Sequence, residues 1–474
     1  MTASSEVGET SHQRAKFRLF QTQYLVVYLL TMYADWLQGT HMYALYEGYS
    51  SMDTAALQDA GELSKYHPSA WGKPVIAYLF ITGFLCSGVF GTFAGSLVDS
   101  LGRKKGVVVF CALEIAINTM EEYEDVRILF LGRVLGGIST SLLFTSFESW
   151  MVTEHRNRKF PEEWLSQTFA YGQMGNGIVA IIAGFTADIS VSYMGNIGPF
   201  RTAVLVTTIV LGYVMVTWNE NVGNSVPSTF SNFSAAWKTI WGDYRILLVG
   251  FTQAFFEGAM YTFVFNWVPA MYHVWGSGIK LGSIFSSFMV CITLGGFLYE
   301  RATKIYDSGV ITLSIFVVAT VALTVPAMCP DNIYAVYGGF LLFETCVGAS
   351  FACGGSARSA VMPQELQATI MNVFRIPLNI LVVVGTSLDS FATTRQKLCV
   401  CVQWLLFAVI LQAVYVAKNP AGVVAANPKA VRQPKASGKR TAVKRKQKTK
   451  RAKTPSSRRK RTPSKKVKEL RELL

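Results

Sequence analysis

The sequence predicts an all-α membrane protein of twelve transmembrane helices in two six-helix, pseudo-symmetric bundles. Three observations predict it. Of 474 residues, 51% are hydrophobic and 15% charged, where soluble chains carry about 25% charged residues. Apolar runs of about 20 residues, the length that crosses a bilayer as a helix, recur along the chain. A polar, turn-rich stretch at 218–244 divides these runs into six and six.

The first nineteen residues are polar and end on Arg14, Lys16 and Arg18, which abut the first apolar run. That run is too long for a cleaved signal, so it is expected to stay as a membrane helix. The spans are expected near 20–44, 74–97, 106–121, 126–150, 164–187, 197–217, 245–271, 280–299, 309–329, 333–357, 368–391 and 398–417. The third is short and the fifth is polar. The expected organisation is therefore an N-terminal segment (1–19), a first bundle (20–217), a central loop (218–244), a second bundle (245–417) and a tail (418–474). The loop at 47–73 is long enough to form a small cap, and a glycosylation sequon at 232–234 lies in the central loop.

Charge fixes the expected orientation. From Lys418 onward the chain carries 21 Lys/Arg against Glu469 and Glu472, a charge of +19, while the rest has 23 Lys/Arg against 27 Asp/Glu. The pI of about 9.4 thus belongs to the tail. With the N-terminus inside, the inner loops hold fourteen basic residues and the outer loops seven, before the tail adds its own. Both termini are expected in the cytoplasm, with the plasma membrane as the site. The tail has almost no apolar residues and should be disordered. It is expected to attract anionic lipid, not nucleic acid, and its Thr454-Pro455 and Thr462-Pro463 pairs are candidate phosphorylation sites that would weaken the tether.

Two halves echo one another. Arg133/Gly137/Ser139 in the fourth span align with Glu344/Gly348/Ser350 in the tenth, and Gln38-Gly39 with Met42-Tyr43 align with Glu257-Gly258 and Met260-Tyr261. Repeats with charges near mid-bilayer point to a secondary transporter. Residues 95–105, "GSLVDSLGRKK", resemble the loop signature of the major facilitator superfamily at Gly95, Leu97, Asp99, Gly102, Arg103 and Lys104, and "GRVLGG" at 132–137 resembles its helix-4 motif. More narrowly, "YLVVYLLTMYADWLQGTHMYALY", "FESWMVTEH", "IFSSFMV" and "NVFRIPLN" are similar to segments of the molybdate-anion transporter family. The resemblance covers most of both halves. The tail and the 47–73 loop lie outside it, and "GGFLYERATK" (295–304) is only a degenerate second signature. It implies a major facilitator fold and carriage of molybdate, a tetrahedral dianion, as a monomer rocking one bundle against the other.

Ionisable side chains inside a membrane are costly, so they face a cavity or a partner. Asp35 lies fifteen residues into the first span, about 22 Å along it at 1.5 Å per residue. It has two readings, a proton or gating site or an ion pair with Arg133. Glu257 and Glu344 are the other candidates for protons or gating. A guanidinium matches an oxyanion bidentately and stays charged, so Arg375, beside the helix-loosening Pro377, is the first candidate for the substrate and Arg133 the second. A pairing of Arg133 with Glu344 or Asp35 is equally open. Gln38, Tyr43, Asn176 and Asn379 could complete an anion cage, as could Gln173, although each alone is commonly a helix–helix hydrogen bond. Glu114 reads as a pairing residue. The resemblance implies a cytoplasmic latch of Asp99, Arg103 and Glu148.

The eight cysteines show no CxxC spacing, the five histidines lie singly, and no catalytic triad or phosphate loop appears. No enzyme activity, catalytic residue, metal or cofactor is therefore expected. The rival readings are a major facilitator carrier of another small solute (sugar, organic or cationic) and a transporter-derived receptor or scaffold.

Overall fold

Long apolar runs punctuated by Asp, Asn, Gly and Pro produce helices with sharp ends. The structure, a computed structural model, describes residues 2–60, 73–222, 229–276, 278–363, 366–388 and 392–419. Among the described residues there are fourteen α-helices: α1 (Thr2–Gly39), α2 (Met42–Ala60), α3 (Lys73–Leu101), α4 (Arg103–Met120), α5 (Val126–Asn157), α6 (Glu162–Met194), α7 (Gly198–Thr217), α8 (Thr229–Gly242), α9 (Tyr244–Trp275), α10 (Leu281–Ala302), α11 (Ser308–Met328), α12 (Ile333–Val361), α13 (Gln367–Ser387) and α14 (Thr394–Lys418). Side chains of Asp125, Asp243, Asp307, Asn332 and Thr393 accept backbone N–H groups at the starts of α5, α9, α11, α12 and α14. Such caps satisfy donors that a helix start leaves bare.

Twelve of these helices form the two bundles, α1 with α3–α7 and α9–α14. We call the side carrying the start of α1 the near side, and the opposite side the far side. Eight apolar segments are long enough to cross a membrane, one of them covering both α6 and α7. Helices α1, α3 and α4 are not among them; α3 contributes a shorter apolar stretch, Val75–Gly91, while α1 is diluted by Gln21, Gln23, Asp35 and Gln38 and α4 by Glu114 and Asn118.

Two glycines expected from the repeat set the helix crossings. A Cβ at Gly137 of α5 would lie 2.5 Å from Cys86 Cβ of α3, and one at Gly348 of α12 would lie 1.8 Å from Ile292 O of α10. The same pair of positions thus brings the fourth helix of each bundle against the second, because only a bare Cα lets the backbones meet this closely.

Two expectations are corrected. The first span does not run unbroken from 20 to 44. It stops at Gly39, where the Thr40 hydroxyl donates to Leu37 O at 3.0 Å and contacts His41 Nδ1 at 2.7 Å, local bonds that compete with the helix ladder. The central stretch is also not all loop. It contains α8, which buries Ala236 and Ile240 and exposes Trp237 and Trp241. That pattern suits a helix lying along an interface. The tail beyond residue 419 and the loop residues 61–72 lie outside the described residues.

The bundles meet mostly toward the far side. Phe80 and Phe84 of α3 pack on Phe265 of α9 at ring distances of 4.8 and 5.4 Å, Phe84 also meets Tyr261, and Trp36 packs on Phe285 of α10 at 5.7 Å.

Candidate functional site

Gln253, Glu257 and Tyr261 recur every fourth residue on α9, so they form one ridge on a single face. Their neighbours on α9 are small. Gly250 admits the Phe374 ring and Gly258 admits Leu381, both from α13. The ridge is therefore held close to α13 on one side, while Gln253 and Glu257 face a cavity on the other. This cavity, about 400 Å³, lies in the near-side half of the second bundle. Its polar lining comes from Thr252, Gln253 and Glu257 of α9, Thr312 of α11, Ser350 and Arg358 of α12, Gln412 of α14 and Gln173 of α6.

The polar groups of this cavity form a chain. Arg358 Nη1 donates to Gln253 Oε1 at 2.9 Å, and Gln253 Nε2 donates to Glu257 Oε1. One amide thus bridges a guanidinium and a carboxylate. Arg358 comes from the near end of α12, and it folds back over Gly354 and Gly355. A Cβ at those positions would lie 3.2 Å from its Nη1 and 4.0 Å from its Nη2. The glycine pair clears the surface on which the guanidinium rests.

Arg375 of α13 lies between the bundles, its Nη1 3.7 Å from where a Cβ on Gly91 of α3 would stand. One turn on, Asn379 Nδ2 comes closer still to α3, 2.5 Å from where a Cβ on Gly88 would stand. Glu257 is within electrostatic reach of both Arg358 and Arg375. Neither guanidinium has a carboxylate within salt-bridge distance among the described residues. A charge-bearing site with spare guanidinium donors can take up an anion.

The remaining candidates fall elsewhere. Arg133 lies seven residues into α5, toward the far side, and its partner is Glu121 at the end of α4, not Asp35 or Glu344. Tyr46 completes that cluster. Its hydroxyl donates to Glu121 at 2.9 Å and its ring faces the guanidinium at 5.6 Å. Asp35 has no ion pair among the described residues. It stands one turn before Gln38, which donates to Glu114 Oε2 at 3.0 Å, and Glu114 also receives Ser139 at 2.6 Å and Asn118 at 3.2 Å. Asn176 accepts Trp36 Nε1 at 2.8 Å, which ties α6 to α1. Tyr43 packs against the apolar cores. Glu344 is buried on α12 with no ion-pair or hydrogen-bond partner among the described residues.

The latch differs from expectation at one member. Arg103 binds Asp99, with Nε at 2.8 Å and Nη2 at 2.7 Å, and its other nitrogen reaches Thr153 of α5, not Glu148. Thr153 and Glu148 are five residues apart, about 140° around the helix. Glu148 therefore sits on a different face, exposed, beside Tyr24 and Tyr28 of α1. Glu220, after α7, takes the place of a helix cap by accepting Lys104 N at 2.9 Å and Lys105 N at 3.1 Å. Gly102 is required here, with φ 115° and with Glu220 2.6 Å from any added Cβ; glycine alone accepts that backbone freely.

Two six-helix bundles, each crossing on a matched glycine, with this signature loop between the second and third helices of the first, define a major facilitator transporter. The chain is a multi-pass integral membrane protein of that class and not an enzyme. A family described as sugar transporters with 12 transmembrane helices matches residues 2–350. A molybdate-anion transporter from Xenopus tropicalis is 32% identical over 425 residues, covering 86% of this chain and 87% of the relative. One from Xenopus laevis is 33% identical over 410 residues, covering 83% and 85%. The chain belongs to this family of molybdate-anion transporters within the superfamily. The fold is also that of the nucleoside transporter NupG, with a TM-score of 0.65 at 11% identity over 84% of this chain and 99% of that one. An auto-inhibited POT family peptide transporter likewise gives a TM-score of 0.65 at 10% identity, over 85% and 97%.

Proposed function

We propose that the chain carries molybdate across a membrane by alternating access, with residues 20–217 rocking against 245–417. The observation that supports this most is Arg375. Its guanidinium lies between the bundles, beside Gly91 of one and within reach of Glu257 of the other, without a carboxylate partner among the described residues. A sugar carrier has no need of an unneutralised guanidinium there, whereas a dianion does. The names of the amphibian relatives agree with an anion, and the sugar description of the wider family does not carry the same chemistry.

Arg375 is the substrate guanidinium in this reading, with Asn379 one turn away as a further donor. Arg133 serves the α4–α5 corner, because Glu121 already holds it. Charge balance favours a co-transported proton. Arg358, Arg375 and Glu257 together carry one net positive charge, which a dianion would turn into one net negative charge. A proton on Glu257 would restore neutrality, and buried charge is costly without such balance. Asp35 and Glu344, without ion pairs among the described residues, are the further proton candidates. Asp99 and Arg103 hold the near side of the first bundle. The basic bias of the near-side segments supports a cytoplasmic near side in the plasma membrane, and the tail suits anionic lipid.

Uptake of labelled molybdate into vesicles containing the purified protein tests the reading. Uptake above empty vesicles, lost in Arg375→Gln and competed by tungstate but not by glucose, is expected. No uptake above empty vesicles, or unchanged uptake in Arg375→Gln, overturns it.

A further inference from the structure

The cavity in the second bundle has a feature that the anion reading alone does not use. Hydroxyls in these helices mostly donate to a carbonyl one turn back, as Thr312 does to Ser308 O at 2.7 Å and Ser350 to Val347 O at 2.7 Å. Thr252 does not. It lines the cavity, is only 4% exposed, and its Oγ1 has no hydrogen-bond partner among the described residues. An unmade hydrogen bond at a buried hydroxyl is destabilising, so its persistence beside a cavity needs a reason.

Arg358 lines the same cavity. It is half-buried, it makes one hydrogen bond, to Gln253, and its remaining N–H groups have no partner among the described residues. The Gly354–Gly355 pair clears space for the guanidinium, and Gln253, held in turn by Glu257, aims it. A charged fork, a spare hydroxyl and a cavity roomier than one small anion form a set of donors without an acceptor.

We infer that this cavity, walled by α9, α11, α12 and α14, is the seat of a tetrahedral oxyanion, with the Arg358 guanidinium and the Thr252 hydroxyl as its protein donors. The inference rests on the anion reading of Arg375 and deepens it. Arg375 faces the gap between the bundles, and the anion comes to rest beside Arg358 while water fills the remaining volume. Gln253 is a positioning residue. It fixes the guanidinium and leaves its outer N–H groups for the anion, which suits bidentate recognition.

The test measures molybdate uptake by vesicles against molybdate concentration, with melting of the detergent-purified protein in molybdate as an independent readout of binding. Arg358→Gln should raise the half-saturating concentration about tenfold or more, as the loss of a charge-assisted pair predicts. It should also abolish the molybdate-dependent rise in melting temperature, and Arg358→Lys should restore part of both. Thr252→Val breaks no side-chain hydrogen bond among the described residues, so it should fold as the parent does. It should still raise the half-saturating concentration severalfold, with Thr252→Ser close to the parent. Should Arg358→Gln fail to fold, the Thr252 pair decides alone. Parent-like concentration dependence in Arg358→Gln, or in Thr252→Val, while Arg375→Gln is inactive, overturns this inference and leaves the anion reading standing. Parent protein no better than empty vesicles overturns the anion reading first.

Discussion

Asp188 of α6 holds Ser283 of α10 by two bonds to one oxygen, from the Ser283 N–H at 2.7 Å and from its hydroxyl at 2.6 Å, while its other oxygen takes the Gly282 N–H at 2.8 Å. The carboxylate of one bundle thus caps the first helical turn of the other, where the helix dipole favours negative charge. His41, at the break after α1, stands 3.9 Å away. Together with the Phe80 and Phe84 contacts, this clasp closes the far side.

Asp188→Ala should loosen the far side. Charge-assisted bonds are worth about 1.5–3 kcal/mol, so the balance between the two states should shift about tenfold or more. A cysteine introduced at Tyr261, with the reactive native cysteines removed, should be alkylated faster in Asp188→Ala. An unchanged rate would mean that the aromatic contacts alone keep the far side shut.

Glu121→Gln should be among the more damaging conservative changes. It leaves the Arg133 guanidinium buried without its charge partner, and removing one member of such a pair costs about 3–5 kcal/mol. Thermal unfolding in detergent should show this loss. Asp35→Asn should leave the melting temperature near the parent's, since Asp35 has no ion pair among the described residues to lose. The opposite ranking would restore Asp35 as the partner of Arg133.

Gly348→Val should prevent normal packing of α12 on α10, because even a Cβ would lie 1.8 Å from Ile292 O. The matched change in the first bundle, Gly137→Val, meets Cys86 Cβ and Ser87 N at 2.5 and 2.6 Å. Both variants should give aggregated material on size-exclusion chromatography. Gly212→Val, where nothing lies within 4 Å of an added Cβ, is the control.

At the start of α9, hydrogen bonds from Arg245 hold the Asp243 carboxyl below its ordinary range. A depressed folded pKa adds stability that is complete above the unfolded value and is lost as pH falls below that value and through the folded one. Asp243→Ala should therefore cost about 1 kcal/mol at neutral pH, as the loss of an N-cap does. The difference from the parent should shrink below about pH 4. A pH-independent difference would mean that the cap acts without its charge.

The helices were legible because apolar length is a local property, and the signature loop because glycine at positive φ and an Asp99–Arg103 pair one turn apart leave fixed residues at fixed spacing. Gly137 and Gly348 were legible as a repeat, although the contacts they permit were not. The site was legible in part. Glu257 and Arg375 stood out as charges inside apolar runs. Arg358 did not, because the expected span ended at 357, one residue short, and an arginine past a span end looks like an ordinary loop charge. Its clue was the Gly354–Gly355 pair just before it. Glu121 and Asp188 were missed for the same reason, since both lie at helix ends and their partners are distant in sequence. The expected Glu148–Arg103 contact failed on helix phase, which spacing along the chain does not reveal unless the contact face is known.

The clasp at Asp188 has a consequence for how this protein tolerates change. Two of its three bonds end on the main chain of α10, which every residue type except proline supplies alike. Replacing Ser283 would remove only its hydroxyl, so that position would look quiet in a mutational scan. Gly282 is different, because an added Cβ would lie 2.0 Å from Gly184 O and 2.8 Å from the Asp188 carboxylate. Drift at position 283 can therefore proceed without unlocking the far side, while the same freedom is denied to positions 188 and 282.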